Sequence, residues 1–118
     1  MKELLIIAHG SRRASSNEEV VQLVSKVAQE ENPGVDNVAL AFLEFAEPTI
    51  ETALEGCLQR GAEEVVVLPY FLSAGNHVVK DIPHEVSKVQ DKWPDKTITI
   101  LPHLGASGAM PALLAQSS

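Results

Sequence analysis

The sequence predicts an α/β fold, a single-lobe four-stranded parallel sheet flanked by helices, and three observations predict it. Four short apolar runs, at residues 4–8, 38–43, 65–69 and 98–101, alternate with longer amphipathic stretches. Nearly continuous runs of Val, Ile and Leu suit strands covered on both faces. Each interval between runs is long enough for a right-handed crossover to a parallel neighbour. The order reads β-α-β-α-β-α-β-α, helices layered on a sheet. No linker, charge run or internal repeat divides the 118 residues, so residues 1–118 are expected to form one domain.

The helices are read from spacing and punctuation. Ser15 and Glu18 have the S-x-x-E spacing of a capping box. Val20, Leu23, Val24, Val27 and Ala28 then form one apolar helix face, stopped by Pro33-Gly34. A second helix is expected from near Pro48, with Ile50, Ala53, Leu54, Cys57 and Leu58 on its buried face and Gly61 after its end. A third is expected from near Pro83, with Val86, Val89 and Trp93 facing inward and Pro94 ending it. A short fourth runs from about 108 to 116, and a trimmed C-terminus would account for its brevity. About a dozen residues, 70–82, separate the third run from its helix, longer than the usual two to six, as a functional or mobile loop would be.

Composition sets limits. The apolar fraction of 45% and charged fraction of 21% fit an ordinary globular protein. Net charge is −7 and Arg12-Arg13 is the one adjacent basic pair, so nucleic acid is not an expected partner. The apolar runs are strand-sized, so no membrane span is expected. Cys57 stands alone, which rules out an internal disulfide and any multi-cysteine zinc site. Its place in an apolar stripe suits a buried structural thiol. With no N-terminal signal segment, these features lead us to expect a reducing cytoplasm.

Ligands of open parallel sheets bind beyond the carboxyl ends of the strands. The residues just past each run therefore make up the candidate site: His9-Gly10-Ser11-Arg12-Arg13, then Glu44, then Tyr70 through His77, then Pro102-His103-Leu104-Gly105. Three of four histidines and a carboxylate fall on one sheet edge. Two neutral imidazoles and one carboxylate make a plausible open metal site, and imidazole suits Co²⁺, Ni²⁺, Fe²⁺ and Zn²⁺ without choosing among them. Such histidines also accept protons near neutral pH. Each residue has an ordinary alternative. His9 and His77 can be satisfied by loop backbone, Glu44 can bond loop amides, and Arg12 and Arg13 can be solvated charges. His103 reads as structural or surface, and His84 as a solvated helix residue.

The segments Leu-Ile-Ile-Ala-His-Gly-Ser-Arg, Ala-Phe-Leu-Glu and Pro-Tyr-Phe-Leu-Ser-Ala-Gly-Asn-His-Val-Val-Lys-Asp-Ile-Pro, with the later Pro102…Leu104-Gly105, resemble the short class II chelatases. These are the CbiX-type sirohydrochlorin cobaltochelatases and their iron- and nickel-inserting relatives. The resemblance covers residues 4 to 105 in order. It implies insertion of a divalent metal, Co²⁺ foremost and Ni²⁺ or Fe²⁺ as alternatives, into sirohydrochlorin in cobalamin- or siroheme-type biosynthesis. His9 and His77 would bind the metal and accept protons, assisted by Glu44. Ser11, Arg12, Tyr70, Gly75 and Lys80 would meet the polycarboxylate macrocycle. The metal is then a substrate, and no tightly bound cofactor is implied. Longer relatives carry two lobes around the macrocycle, so one lobe implies a homodimer.

Other classes fit less well. His9-Gly10 resembles the start of a histidine phosphatase motif, but Ala8 stands where that motif has arginine. No G-x-S-x-G elbow, Walker loop or dinucleotide fingerprint is present. The alternative is a non-catalytic carrier of metal or tetrapyrrole using the same residues.

Overall fold

In the computed structural model, which describes all 118 residues, strands β1 (Lys2–Ala8), β2 (Asn37–Phe42), β3 (Glu64–Pro69) and β4 (Thr97–Ile100) form one parallel sheet. Their order is β2-β1-β3-β4. The register pairs Ala8 with Phe42 and Ile7 with Pro69, so β1 ends level with both neighbours. Helices α1 (Ala14–Gln29), α2 (Ile50–Gln59), α3 (Ile82–Gln90) and α4 (Met110–Ala115) lie between and after the strands. The chain steps from β1 to β2 in one direction, then back past β1 to β3 and on to β4. Right-handed crossovers therefore put α1 on one face and α2 with α3 on the other. The reversal makes a switch point beyond the carboxyl ends of β1 and β3, where such sheets bind ligands.

The core occupies the α2–α3 face. Leu5 and Ile7 of β1, Val65 and Val67 of β3, Leu54 of α2 and Val89 of α3 are fully buried there. Each such side chain contributes about 1.5–3 kcal/mol. The opposite face departs from expectation. Val24 is the one buried residue of α1, and Leu23 is 40% exposed. A hollow lined by Leu4, Ile6, Leu23, Val24, Leu68 and Tyr70 remains between α1 and the sheet. The strands are thus covered fully on one face only. β4, at the sheet edge, alternates exposed and half-buried residues.

Helix starts also differ from the spacing. The capping box does not form at α1: Arg13 precedes the helix without a side-chain cap. The Ser15 hydroxyl accepts from Arg13 Nε at 3.0 Å, and Glu18 accepts from Gln22 Nε2 at 3.1 Å. Asn17 instead ties the helix to the preceding loop, accepting from Ser11 N at 2.9 Å and donating to Ser11 O at 2.7 Å. α2 begins after Thr49, whose hydroxyl accepts from Thr52 N at 3.2 Å. Pro48 lies before that cap, because a hydroxyl satisfies an orphan amide and proline cannot. A π-helical turn, His77–Asp81, runs directly into α3, so the long third loop is helical in its last part. Trp93 lies beyond α3, half-buried against the core, donating from Nε1 to Glu55 Oε2 at 3.1 Å.

One charge is buried at the sheet's amino end. Glu3 of β1 is fully buried and accepts from Arg60 Nη2 at 2.7 Å, Arg60 Nε at 3.1 Å and Asn37 Nδ2 at 2.9 Å. Burial alone would raise its pKa; the bonds from Arg60 and Asn37 outweigh that and hold it below the ordinary value of 4.5. The charged form is thus preferred in the folded state. Its contribution is present above pH 4.5 and is lost as pH falls through that value toward the depressed one. Arg60→Ala should lower stability by about 2 kcal/mol, discounted because the guanidinium is half-exposed. It should also flatten the fall of Tm below pH 4.5 in thermal melts across pH; an unchanged acid slope would refute the assignment.

Candidate metal centre

The site starts from two backbone hydrogen bonds that continue the β1–β2 pairing past the strands. Leu43 N donates to Ala8 O and Glu44 N to His9 O, both at 2.9 Å. This sets Glu44 beside His9. Gly10 has φ of +89°, and a Cβ there would lie 1.8 Å from the Glu44 carbonyl oxygen. Only glycine permits that approach. Ala46 N then donates back to Glu44 O at 2.9 Å, closing a turn in which Phe45 has φ of +66°.

His77 arrives from the third loop. The π-helical turn places Asp81 nearly one turn onward, and His77 Nδ1 donates to Asp81 Oδ2 at 2.7 Å. His9 Nδ1 donates to the Gly10 carbonyl at 2.9 Å. In a neutral imidazole the other nitrogen then carries a lone pair. Both histidines are therefore left with Nε2 as acceptor, and Glu44 is an acceptor when ionised. His9 Nε2 lies 3.5 Å from Glu44 Oε2. The His9 and His77 rings meet edge to face, centroids 4.9 Å apart. Ligand-capable atoms of His9, Glu44 and His77 all lie within 4.8 Å of one another.

Two imidazoles and a carboxylate without a donor between them suit a proton or a divalent cation. The side chains of His9, Glu44 and His77 are 42%, 46% and 41% exposed, so positions around an ion would stay open. Phe45 and Phe71 flank the His9 ring at 6.2 and 6.3 Å. The Arg12 guanidinium sits 5.0 Å over the Phe45 ring.

The other candidates fall around this centre unevenly. Arg12 and Lys80 are exposed and form no ion pair. The Ser11 hydroxyl accepts from Arg13 N at 3.0 Å and shapes the loop. The Gly75 carbonyl accepts from Val78 N and Val79 N, opening the turn that carries His77. Tyr70 lines the hollow beside α1, away from the three ligand-capable residues. His103 is half-buried ahead of a short 3₁₀ turn, and His84 is exposed on α3. Burial, with Glu3 close by, pushes the Cys57 thiol up to about 12, so it stays protonated.

Sequence reasoning gave no specific role to Asp81, Phe45 or Phe71. Asp81 had a signal, the i,i+4 spacing from His77 that opens a helix. The two phenylalanines had none, since each depends on how a loop turns.

An open centre of two histidines and a carboxylate, at the switch point of a small parallel sheet, defines a class of α/β domain able to hold a divalent metal loosely. The CbiX family model matches residues 3–118, and the chain belongs to that family. It is similar to the sirohydrochlorin cobaltochelatase of Methanocaldococcus jannaschii, 35% identical over 77% of this chain and 62% of that protein. The chain thus spans less than two-thirds of that relative's length. Among solved structures it is similar to the CbiX protein of Marinobacter aquaeolei VT8, with TM-score 0.82, 26% identity, and 98% and 92% of the two chains covered. It is also similar to SirB from Bacillus subtilis with Fe³⁺, with TM-score 0.86 and 28% identity, over 97% of this chain and 44% of SirB.

Two substitutions test the construction. Asp81→Asn should weaken Co²⁺ binding about 10–100-fold in calorimetric titration while Tm barely moves. Gly10→Ala should weaken it as well, but with a fall in Tm, because the Glu44 backbone must retreat from the new Cβ. Unchanged Co²⁺ affinity in both would remove these residues from the centre.

Proposed function

We propose that this chain is a metal chelatase that inserts a divalent ion into sirohydrochlorin. The observation that carries the reading is the convergence of three acceptors, His9, Glu44 and His77, on one half-exposed point at the strand ends. The ion is a substrate. His9 and His77 hold it, with Glu44 as a third ligand, and the half-exposed side lets a macrocycle approach. Pyrrole nitrogens then replace the protein ligands one at a time. Two N–H protons leave as the dication enters, and the freed acceptors of His9, His77 and Glu44 take them up. Arg12 and Lys80, exposed cations without ion pairs, meet peripheral carboxylates. Ser11 and Gly75 belong to the loops that carry His9 and His77 and border the approach, whereas Tyr70 faces the hollow beside α1.

Co²⁺ is the first choice, after the cobaltochelatase relative; Fe²⁺, after SirB with iron, and Ni²⁺ come next. The pathway is of the cobalamin or siroheme type. The chain acts as a single domain in the cytoplasm, consistent with a lone reduced thiol and no helix long and apolar enough to cross a membrane. It aligns with 44% of SirB, and one lobe gives a flat ligand only one wall. A homodimer with an isologous interface would supply the second.

The test is an anaerobic absorbance assay with metal-free sirohydrochlorin and Co²⁺, Ni²⁺ or Fe²⁺. Multiple turnovers above the spontaneous rate are expected, reduced at least about hundredfold in His77→Ala and His9→Ala. A spectral change that stops at one equivalent would make the protein a carrier, and full activity in both variants would refute the mechanism.

A further inference from the structure

We propose that Phe45 and Arg12 form one unit that seats the macrocycle, with the Phe45 ring against its flat apolar face and the guanidinium on a peripheral carboxylate. The inference rests on the chelatase reading and assigns a residue that reading does not use.

Phe45 is 52% exposed, and it faces the centre rather than the core. A large aromatic ring in water gives the fold little, since its apolar surface is not removed from solvent. Its backbone is also in the left-handed region, at φ of +66°, where a bulky residue is a genuine outlier. The Ala46 N to Glu44 O bond spans one residue, so Phe45 is the centre of a γ-turn of the rarer, strained hand. The same Glu44 carbonyl is the one that closes on Gly10. That turn therefore fixes the Glu44 backbone beside His9 and sets the Phe45 ring 6.2 Å from the His9 ring. Strain of this kind persists where its surroundings hold it, and it collects at ligand sites.

Arg12 completes the unit. Its guanidinium lies 5.0 Å over the Phe45 ring, which restrains a long side chain through its planar face. In a chain with 16 acidic and 9 basic residues, it has no carboxylate partner. Its forked donors are thus held in place and unclaimed, as recognition of a carboxylate requires. An apolar ring beside a metal centre with a restrained cation next to it matches a ligand whose middle is flat and apolar and whose rim is anionic.

The test compares the wild type with Phe45→Asn, Phe45→Tyr, Arg12→Gln and the Phe45→Asn/Arg12→Gln double variant. Asparagine tolerates the left-handed region, so it removes the ring and keeps the turn. Affinity for metal-free sirohydrochlorin is read by absorbance titration, and affinity for Co²⁺ alone by calorimetry. Phe45→Asn and Arg12→Gln should each weaken tetrapyrrole binding about tenfold, and the double variant little further. Phe45→Tyr should restore most of the affinity. Co²⁺ affinity should stay within about twofold throughout. Wild-type tetrapyrrole affinity in Phe45→Asn, strictly additive losses, or an equal loss of Co²⁺ affinity would each overturn the proposal, the last by making Phe45 a support for His9. A wild-type chain that binds Co²⁺ but not sirohydrochlorin would overturn the chelatase reading itself, and this inference with it.

Discussion

The close approach of Gly10 to the Glu44 carbonyl is the contact on which the centre depends. β1 and β2 are in register to their last residues, and two more backbone hydrogen bonds join the segments beyond them. The two segments can stay that close only because residue 10 lacks a Cβ and adopts φ of +89°. That contact sets the position of Glu44, the strained turn at Phe45 and the placement of His9. A parallel contact acts on the other side. Gly105 N donates to Phe71 O at 3.0 Å, and a Cβ on Gly105 would lie 1.8 Å from Leu72 O. Two glycines thus let neighbouring loops close over the strand ends, one beneath His9 and Glu44, the other behind Phe71.

The two ends of the sheet carry opposite electrostatic solutions. At the amino end, Glu3 is buried and answered by three donor atoms, an arrangement that costs stability if any partner is removed. At the carboxyl end, three acceptors face one another without a donor. The first end is closed and satisfied. The second stays tolerable because water reaches it, each side chain being about two-fifths exposed or more. The sheet separates these solutions by its own length, so the charge that holds β1 in place does not interfere with the acceptors at its far end.

Much of this was legible in the sequence where one local rule decides the outcome. Apolar runs located all four strands to within two residues at each end. The rule that ligands sit at carboxyl ends put His9, Glu44 and His77 in a wider candidate set that also held His103, from which the family resemblance singled out the three. What escaped depends on competition or on distant contacts. The Ser15–Glu18 box lost to Asn17, whose amide clamps Ser11 and so fixes where the helix starts. The apolar face of α1 suggested burial, but α1 packs mainly against β2 and leaves Leu23 40% exposed beside the hollow over β1 and β3. Periodicity reports that a face is apolar and does not report what covers it. The π-helical turn at His77 was invisible for a related reason: inside a helix, a π-turn shifts register without changing composition.

Looseness at the centre is a requirement of the proposed chemistry, and the structure supplies it in a definite way. A structural metal site closes its coordination shell with protein ligands, whereas a site that does chemistry on the metal keeps positions open. Here the side chains at hand number three, they come from three different loops, and each is open to solvent on one side. Yet these side chains are not floppy. Asp81 holds Nδ1 of His77 and the Gly10 carbonyl holds Nδ1 of His9, so each neutral ring keeps Nε2 free as an acceptor before any ion arrives. Few ligands make release easy; oriented ligands keep the waiting ion in one place. An insertase needs both properties together, because the ion must be held long enough to meet the macrocycle and weakly enough to leave with it.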